Sequence, residues 1–195
     1  MFKHEKQLFH PVAVERPNPQ YATLLQEQVG GGNGELKAAM QYMSQSFRIK
    51  DPEIKDLFLD IAAEELGHLE MVSQTINLLN GHDVDYKTIG AGEIQTHVQL
   101  GLNPGLINSS GYSWTGDYVT VTGDLCADLL SNIASEQRAK VVYEYLNEYP
   151  LALARWHFYS RRIRFSKLRY DDYHHWHPFR LTDIEDEPAR LVPFR

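Results

Sequence analysis

The feature that most constrains the fold is one long stretch of helical pattern, residues 53–79. Asp51-Pro52 in front of it is typical of a helix start, and Asn80-Gly81 behind it is typical of a helix end. Between them apolar residues recur every three or four positions, the spacing of one helix face. They are Ile54, Leu57, Phe58, Ile61, Leu69, Val72, Ile76 and Leu79. The sequence therefore predicts a single helix from Glu53 to Leu79.

Two further stretches carry helical spacing, residues 20–50 and 124–145. Residues 30–34, Gly-Gly-Gly-Asn-Gly, interrupt the first of them, and each glycine costs about 1 kcal/mol inside a helix. We therefore expect a kink, a loose turn or two helices there. A phosphate loop is disfavoured, because no Gly-Lys-Ser/Thr follows. The third stretch has Leu125, Leu129, Ile133, Val141, Val142 and Leu146 on its predicted apolar face.

Residues 81–122 separate these helices and are rich in Gly, Asn, Ser and Thr without a sustained period. A connection of this length usually serves as a crossover or a subunit contact. One long crossover among otherwise short connections favours an all-α, ferritin-like four-helix bundle.

The chain as a whole sets several limits. Its 195 residues are enough for one domain with a sizeable core. The net charge of −7 argues against a nucleic-acid partner, and no window approaches the roughly 20 apolar residues of a membrane span. The first residues, MFKHEKQLFHPV, lack the apolar core of a secretory signal, which predicts a cytoplasmic location. We expect the lone cysteine, Cys126, to be a small buried apolar residue rather than a nucleophile.

A metal site is predicted by Glu65-Leu-Gly-His68 in the long helix. Residues three positions apart share one helix face, so this carboxylate and imidazole can bind one metal ion. Glu35 and Glu136 lie on the other two helical stretches, among residues that indicate an interior position. Carboxylates with a few imidazoles suit a redox-active pair of manganese or iron ions. The alternative is that all of these acids are solvated.

Three more residues have two interpretations each. Tyr42 lies seven residues after Glu35 on the same face, so it either hydrogen-bonds a metal-binding carboxylate or belongs to the core. Asp56 and Asp60 form an i,i+4 carboxylate pair. Such a pair is usually a solvated face, but it can also hold calcium.

Four stretches resemble the manganese catalases, including the shorter spore-coat proteins related to them. The stretches are FKHEKQLFHPVAVERPNPQYA, GGGNGELKAAMQYMSQSF, KDLFLDIAAEELGHLEMVSQTINLL and DLLSNIASEQRAKVVYEYL. The resemblance runs from the first residue to about Asn147 and implies a ferritin-like fold with two manganese ions per subunit. It implies that the protein dismutates hydrogen peroxide to water and oxygen, and that it assembles as a hexamer.

The resemblance also implies a role for each candidate residue. Glu35 and His68 would ligate the first manganese ion, Glu65 would bridge the two ions, and Glu136 would ligate the second. Tyr42 would be the phenol near the cluster. The positions of Asp56 and Asp60 match those that bind calcium at a subunit contact in longer members of the family.

The chain departs from the family pattern after about Asn147. Residues 1–148 carry 10 Lys and Arg against 20 Asp and Glu, whereas residues 149–195 carry 9 against 6. The family's second Glu-x-x-His would fall on Ser166 and Arg169, which are not usual manganese ligands. The tail also lacks an amphipathic pattern long enough for the fourth helix. We therefore expect a bundle domain over residues 1–147 and a divergent or aberrant tail over residues 148–195.

Two explanations of the tail remain open. A shift of the reading frame near Asn147 would replace the family sequence abruptly. Alternatively the tail diverged, and a histidine such as His174 or His175 was recruited to the metals.

Two functions follow. The first is a manganese catalase whose second imidazole has no counterpart in the sequence, with di-iron chemistry as a variant that the ligand types leave open. The second is a non-catalytic spore-coat or assembly protein that keeps the fold, in which case the location is the spore coat.

Overall fold

The computed structural model describes residues 7–81 and 104–148, which all fall within one compact unit of the chain. Helices dominate this part, and its only β-type pairing is an isolated bridge between Ile107 and Ser113. The elements are α1 (Pro19–Leu25), α2 (Glu27–Gly30), α3 (Glu35–Ser46), α4 (Pro52–Asn80), a 3-10 turn (Gly116–Tyr118) and α5 (Leu125–Glu148). The all-α prediction is confirmed. His174, His175, Ser166 and Arg169 lie outside the described residues.

Helix α4 has the boundaries that its sequence predicts. The Asp51 side chain accepts hydrogen bonds from the backbone N–H groups of Glu53 (2.9 Å) and Ile54 (3.1 Å), and Pro52 is the first helical residue. At the other end Gly81 has φ 72°, a left-handed conformation that glycine adopts at little cost. Local capping therefore fixes both ends of the 29-residue helix.

The glycine run separates two helices, one of the predicted outcomes. Helix α2 ends at Gly30 and α3 begins at Glu35. A side chain at Gly30 would overlap the backbone of Ile107 in the crossover connection, and one at Gly34 would overlap the α2 backbone at Gln28. The glycines thus permit close backbone packing, which explains the run without a phosphate ligand.

The relative directions of the three long helices agree with the lengths of the connections between them. Tyr42 on α3 contacts Phe58 on α4, and Glu35 approaches His68, so α3 and α4 run antiparallel across a short link. Glu35 of α3 pairs with Tyr143 of α5 and Tyr42 pairs with Glu136, so α3 and α5 are antiparallel as well. Helices α4 and α5 consequently run in the same direction, and only a long crossover can lead from the end of one to the start of the other.

The described part of the crossover connection is held by hydrogen bonds to Gln26 and Glu27, at the junction of α1 and α2. The buried Gln26 amide donates to the carbonyl oxygens of Gly105 (2.9 Å) and Ile107 (2.8 Å) and accepts from the Gly105 N–H (3.3 Å). Glu27 accepts from the backbone and the hydroxyl of Ser109. These hydrogen bonds satisfy loop backbone groups that burial would otherwise leave without partners.

The apolar core is divided into two clusters along α4. One contains Tyr42, Phe58 and Ala62, and the other contains Tyr21, Ala22, Leu25, Val29, Val72, Ile76, Leu79 and Leu146. Between Ala62 and Val72 the buried face of α4 carries Glu65 and His68. Two ionisable residues therefore occupy the middle of an otherwise apolar stripe.

Helix α5 differs from its predicted amphipathic pattern. Its buried face begins with the polar residues Asp128, Asn132 and Ser135, while the predicted apolar residues Leu125, Leu129 and Ile133 are only half-buried. Val141 is 44% exposed, and Cys126 is exposed as well, so the buried positions expected for them were wrong. The face of α5 that contacts α3 instead carries Asn132 and Ser135, which hydrogen-bond to Gln41 and Lys37.

None of the helices in residues 7–81 and 104–148 is both long and apolar enough to cross a membrane.

Candidate metal centre

Glu35, Glu65 and His68 form a buried cluster between α3 and α4. Each offers a ligand atom within 4.8 Å of the others, and their exposed fractions are 1%, 3% and 4%. His68 Nδ1 lies 3.0 Å from Glu65 Oε2 and 3.7 Å from Glu35 Oε2. Two carboxylates and an imidazole at this separation are a suitable donor set for a divalent metal ion.

The electrostatics of the cluster favour a bound cation. Burial alone would lower the pKa of His68, but the carboxylates of Glu65 and Glu35 outweigh burial and raise this pKa to about 9. A protonated His68 then supplies the positive charge that two buried carboxylates need. A metal ion would take over this role and displace the proton. The residues present therefore fit a divalent metal.

Glu136, the candidate ligand on α5, is not part of this group of three. Its side chain is half-buried, and its Oε1 accepts a hydrogen bond from the Tyr42 hydroxyl at 3.2 Å. Tyr42 is itself buried and packs edge-on against Phe58, with the ring centroids 5.6 Å apart. Tyr42 thus has both contacts that its sequence position suggested, to a carboxylate and to the core.

Tyr143 is a site residue that the sequence reasoning missed. Its hydroxyl donates to Glu35 Oε1 in a short hydrogen bond, and the side chain is 1% exposed. Tyr143 follows Glu136 by seven residues, the same interval that separates Tyr42 from Glu35. That repeated interval was the signal available in the sequence. In both hydrogen bonds the tyrosine lies on one helix and the carboxylate that accepts from it lies on the other.

Lys37 on α3 places a buried ammonium group against α5. It donates to Ser135 Oγ at 2.7 Å, and only 2% of the residue is exposed. Burial, with a smaller contribution from Arg138, lowers the pKa of Lys37 to about 8, and Glu136 opposes the shift. This lysine is a second buried polar residue at the α3–α5 contact that the sequence pattern did not single out.

Phe9 of the N-terminal arm covers His68 from outside the bundle. The two rings meet edge to face, with centroids 6.1 Å apart and an interplanar angle of 80°. The ring also lies over Gly67, where any side chain would overlap it. Gly67 therefore gives the arm a place to pack against the imidazole.

Asp56 and Asp60 are exposed on α4. In the described part of the chain, neither aspartate belongs to a group of three ligands close enough to share a metal ion. Calcium binding by this pair stays a prediction.

A cavity of about 250 Å³ lies where the C-terminal end of α3 approaches the N-terminal ends of α4 and α5. Gln45, Phe58, Leu125 and Asp128 are among its lining residues, and the cluster residues are not.

The helices and the cluster together define a ferritin-like, all-α bundle with a buried carboxylate–imidazole centre. A model of the family described as manganese-containing catalase matches residues 1–150. The chain belongs to the manganese catalase family.

Individual relatives agree with this assignment. A probable manganese catalase of Clostridium acetobutylicum is 70% identical over 148 residues, which are 75% of this chain and 66% of that protein. Protein CotJC of Bacillus subtilis is 36% identical over 75% of this chain and 77% of its own length. KatB, a manganese catalase from Anabaena, is similar in structure, with a TM-score of 0.77 at 32% identity over all of this chain and 88% of KatB. The match to the Clostridium protein thus spans just under two thirds of that relative.

Proposed function

We propose that this protein is a manganese-dependent catalase that dismutates hydrogen peroxide to water and oxygen. The observation that carries the proposal is the buried cluster of Glu35, Glu65 and His68 in a member of the manganese catalase family. Glu35 and His68 would hold one manganese ion, Glu65 would lie between two ions, and Glu136 would hold the second. When bound, the manganese pair supplies the two-electron exchange that dismutation of peroxide requires.

The surrounding residues have definable tasks in this proposal. Tyr42 and Tyr143 donate hydrogen bonds that orient the carboxylates of Glu136 and Glu35. Phe9 shields the imidazole of His68 from solvent, which keeps the local dielectric low. Lys37 holds a proton beside Ser135 and Glu136, and its lowered pKa brings proton exchange closer to neutral pH.

Oxygen evolution from hydrogen peroxide by the manganese-loaded protein tests the proposal. We expect Glu65→Ala to abolish turnover and to reduce the manganese content. Glu70→Ala, an exposed acidic position on the same helix, is the matched control and should keep both. Activity that survives Glu65→Ala would overturn the site assignment. Loading with iron instead of manganese, followed by the same assay, distinguishes the di-iron alternative.

A second candidate function is a non-catalytic spore-coat or assembly component that retains the bundle. The similarity to protein CotJC, of which the chain covers 77%, supports it. Two manganese ions per chain without oxygen evolution would favour this role. Fluorescent fusions would separate the two locations, cytoplasm for the catalase and the spore coat for the structural protein.

We further propose a homohexamer with calcium at Asp56 and Asp60, both of which are exposed. Sedimentation analysis with and without a calcium chelator should show a hexamer that calcium stabilises. A monomer in both conditions would contradict the assembly, and an unchanged hexamer in the Asp56→Asn/Asp60→Asn variant would contradict the calcium site.

A further inference from the structure

A closed ring of four hydrogen bonds joins α3, α5 and the crossover connection. The Thr120 N–H donates to Gln41 Oε1 (2.9 Å), and Gln41 Nε2 donates to Asn132 Oδ1 (2.6 Å). Asn132 Nδ2 donates to Gln45 Oε1 (2.7 Å), and Gln45 Nε2 donates to the Thr120 carbonyl oxygen (2.8 Å). Each of the three side-chain amides thus donates once and accepts once within the ring.

The three amide side chains are almost fully buried, with exposed fractions of 1% for Gln41, 3% for Gln45 and 0% for Asn132. A buried amide without a partner is costly, so every bond of the ring resists rearrangement. The apolar residues of α5 nearby, Leu125, Leu129 and Ile133, are only half-buried. Apolar contacts of that kind tolerate a shift along the helix axis, whereas directional hydrogen bonds do not.

The ring lies next to the groups on which the proposed second metal ion depends. Asn132 precedes Glu136 by four residues, about one turn of α5, and Gln41 directly precedes Tyr42. The Tyr42–Glu136 hydrogen bond is 3.2 Å long, and a displacement of α5 by one residue, about 1.5 Å, would break it. The alignment of the ring and the alignment of this carboxylate are therefore coupled.

We propose that the Gln41–Asn132–Gln45 ring sets the axial position of α5 against α3 and thereby holds Glu136 at the metal centre. The three amides are positioning residues: they do not touch metal or peroxide, and they act through Glu136. This inference rests on the proposed dimanganese function. Buried polar side chains are known to specify helix register where apolar packing leaves it open.

The test replaces the three amides of the ring with leucine. It thereby separates an effect on the position of Glu136 from an effect on the stability of the fold. The variant Gln41→Leu/Gln45→Leu/Asn132→Leu removes all three amides together, so that none of them is left buried without a partner. Thr120, whose backbone loses two hydrogen bonds, is an exposed residue. We expect the triple variant to fold with a melting temperature near that of the parent protein. Its manganese affinity should nevertheless fall on the order of 10- to 100-fold at one ion. The loss should match that of Glu136→Gln.

Gln26→Leu is the matched control. Gln26 is an equally buried amide that ties the crossover to a helix, but it lies outside the α3–α5 contact. We expect it to lower the melting temperature without reducing the manganese stoichiometry. If the triple variant does not fold, Gln45→Leu decides, because it removes two of the four bonds and should weaken the same ion.

The outcomes discriminate between the two proposals. Full manganese content and affinity in the folded triple variant, or in Gln45→Leu, would overturn the positioning role while leaving the proposed function intact. A metal loss as large in Gln26→Leu would also overturn it, since the effect would then follow stability alone. A parent protein that binds no manganese would overturn the proposed function, and this inference with it.

Discussion

At the scale of single residues, the centre is built from reciprocal tyrosine–carboxylate pairs. The Tyr42 hydroxyl on α3 donates a hydrogen bond to Glu136 on α5, and the Tyr143 hydroxyl on α5 donates one to Glu35 on α3. Each phenol thereby links its own helix to a carboxylate on the neighbouring helix. The arrangement fixes the directions of two candidate ligands and also closes the contact between the two helices.

Tyr143→Phe should reduce the affinity for manganese about tenfold, the lower end of the effect of removing a hydrogen bond to a metal ligand. Loss of the bond should also lower the unfolding free energy by about 1–3 kcal/mol, because Glu35 stays buried. Titration with manganese and chemical denaturation measure the two effects. Tyr145→Phe is the control on the same helix, since Tyr145 is 70% exposed. Equal effects of the two substitutions would contradict the role of Tyr143.

His68 gives the metal-free protein a defined dependence of stability on pH. Its pKa in the folded state is about 9, above the ordinary value of 6.5, so between these values the folded state holds more protons than the unfolded chain. The stabilisation is complete below the unfolded pKa and is lost as pH rises through the folded pKa. The unfolding free energy should therefore fall between pH 6.5 and 8, by at most roughly 1.4 kcal/mol per pH unit.

Lys37 acts in the opposite sense at higher pH. Its pKa falls from 10.5 to about 8 in the folded state, so between these values the unfolded chain holds more protons than the folded state. The unfolding free energy therefore rises with pH in this range. Denaturation of the metal-free protein between pH 6.5 and 8 consequently isolates His68. The His68→Gln variant should lose the slope in this window, and an unchanged slope would contradict the assignment.

At the scale of secondary-structure elements, the N-terminal arm packs against α4 at a single glycine, Gly67. Gly67 lies in the interior of a long helix, where glycine costs about 1 kcal/mol relative to alanine. The structure explains its presence, because the Phe9 ring occupies the space of a side chain. Gly67 thus makes room for the Phe9 ring, although glycine weakens the intrinsic stability of α4 at this position.

Gly67→Ala should not give the stabilisation of about 1 kcal/mol that helix propensity predicts, because the new methyl group displaces Phe9. In the Phe9→Ala background the gain should be recovered. A double-mutant cycle measured by denaturation quantifies this coupling. Gly116→Ala, where no neighbouring atom meets the added carbon, should have the same effect in both backgrounds. Additive effects of the Phe9 and Gly67 substitutions would contradict the packing argument.

At the scale of the whole molecule, the described bundle contains a polar layer between two apolar clusters. The apolar clusters stabilise the ends, and the layer between them holds Glu35, Glu65 and His68. Such a layer depends on metal or protons for charge balance. We propose that this domain ends near Asn147 and that residues 148–195 form a divergent or aberrant tail, since the matching family model stops at residue 150.

Translation of the coding DNA beyond codon 147 in the other two frames tests the explanation by a frame shift. One frame should contain a Glu-x-x-His that restores the family pattern. If neither frame contains it, the tail diverged by substitution. Recruitment of a tail histidine then predicts that His174→Ala or His175→Ala lowers the manganese content.

Several parts of the site could be predicted from the sequence because they depend on local geometry. Glu65 and His68 are one turn apart on any helix, and the caps of α4 fix that helix without help from the rest of the chain. The glycine run at residues 30–34 likewise predicted the interruption between α2 and α3. These features follow from the 3.6-residue period and from backbone propensities, which a single sequence contains.

Other features were decided only by the tertiary structure. The pairing of Tyr143 with Glu35, the amide ring on Asn132 and the exposure of Cys126 and Val141 depend on how α5 lies against α3. That register involves residues about 90 to 110 positions apart, and the period of one helix does not specify its alignment with another. The sequence by itself thus determined the helices and the Glu65–His68 pair of the candidate metal centre. Packing between helices decided which side chains complete it.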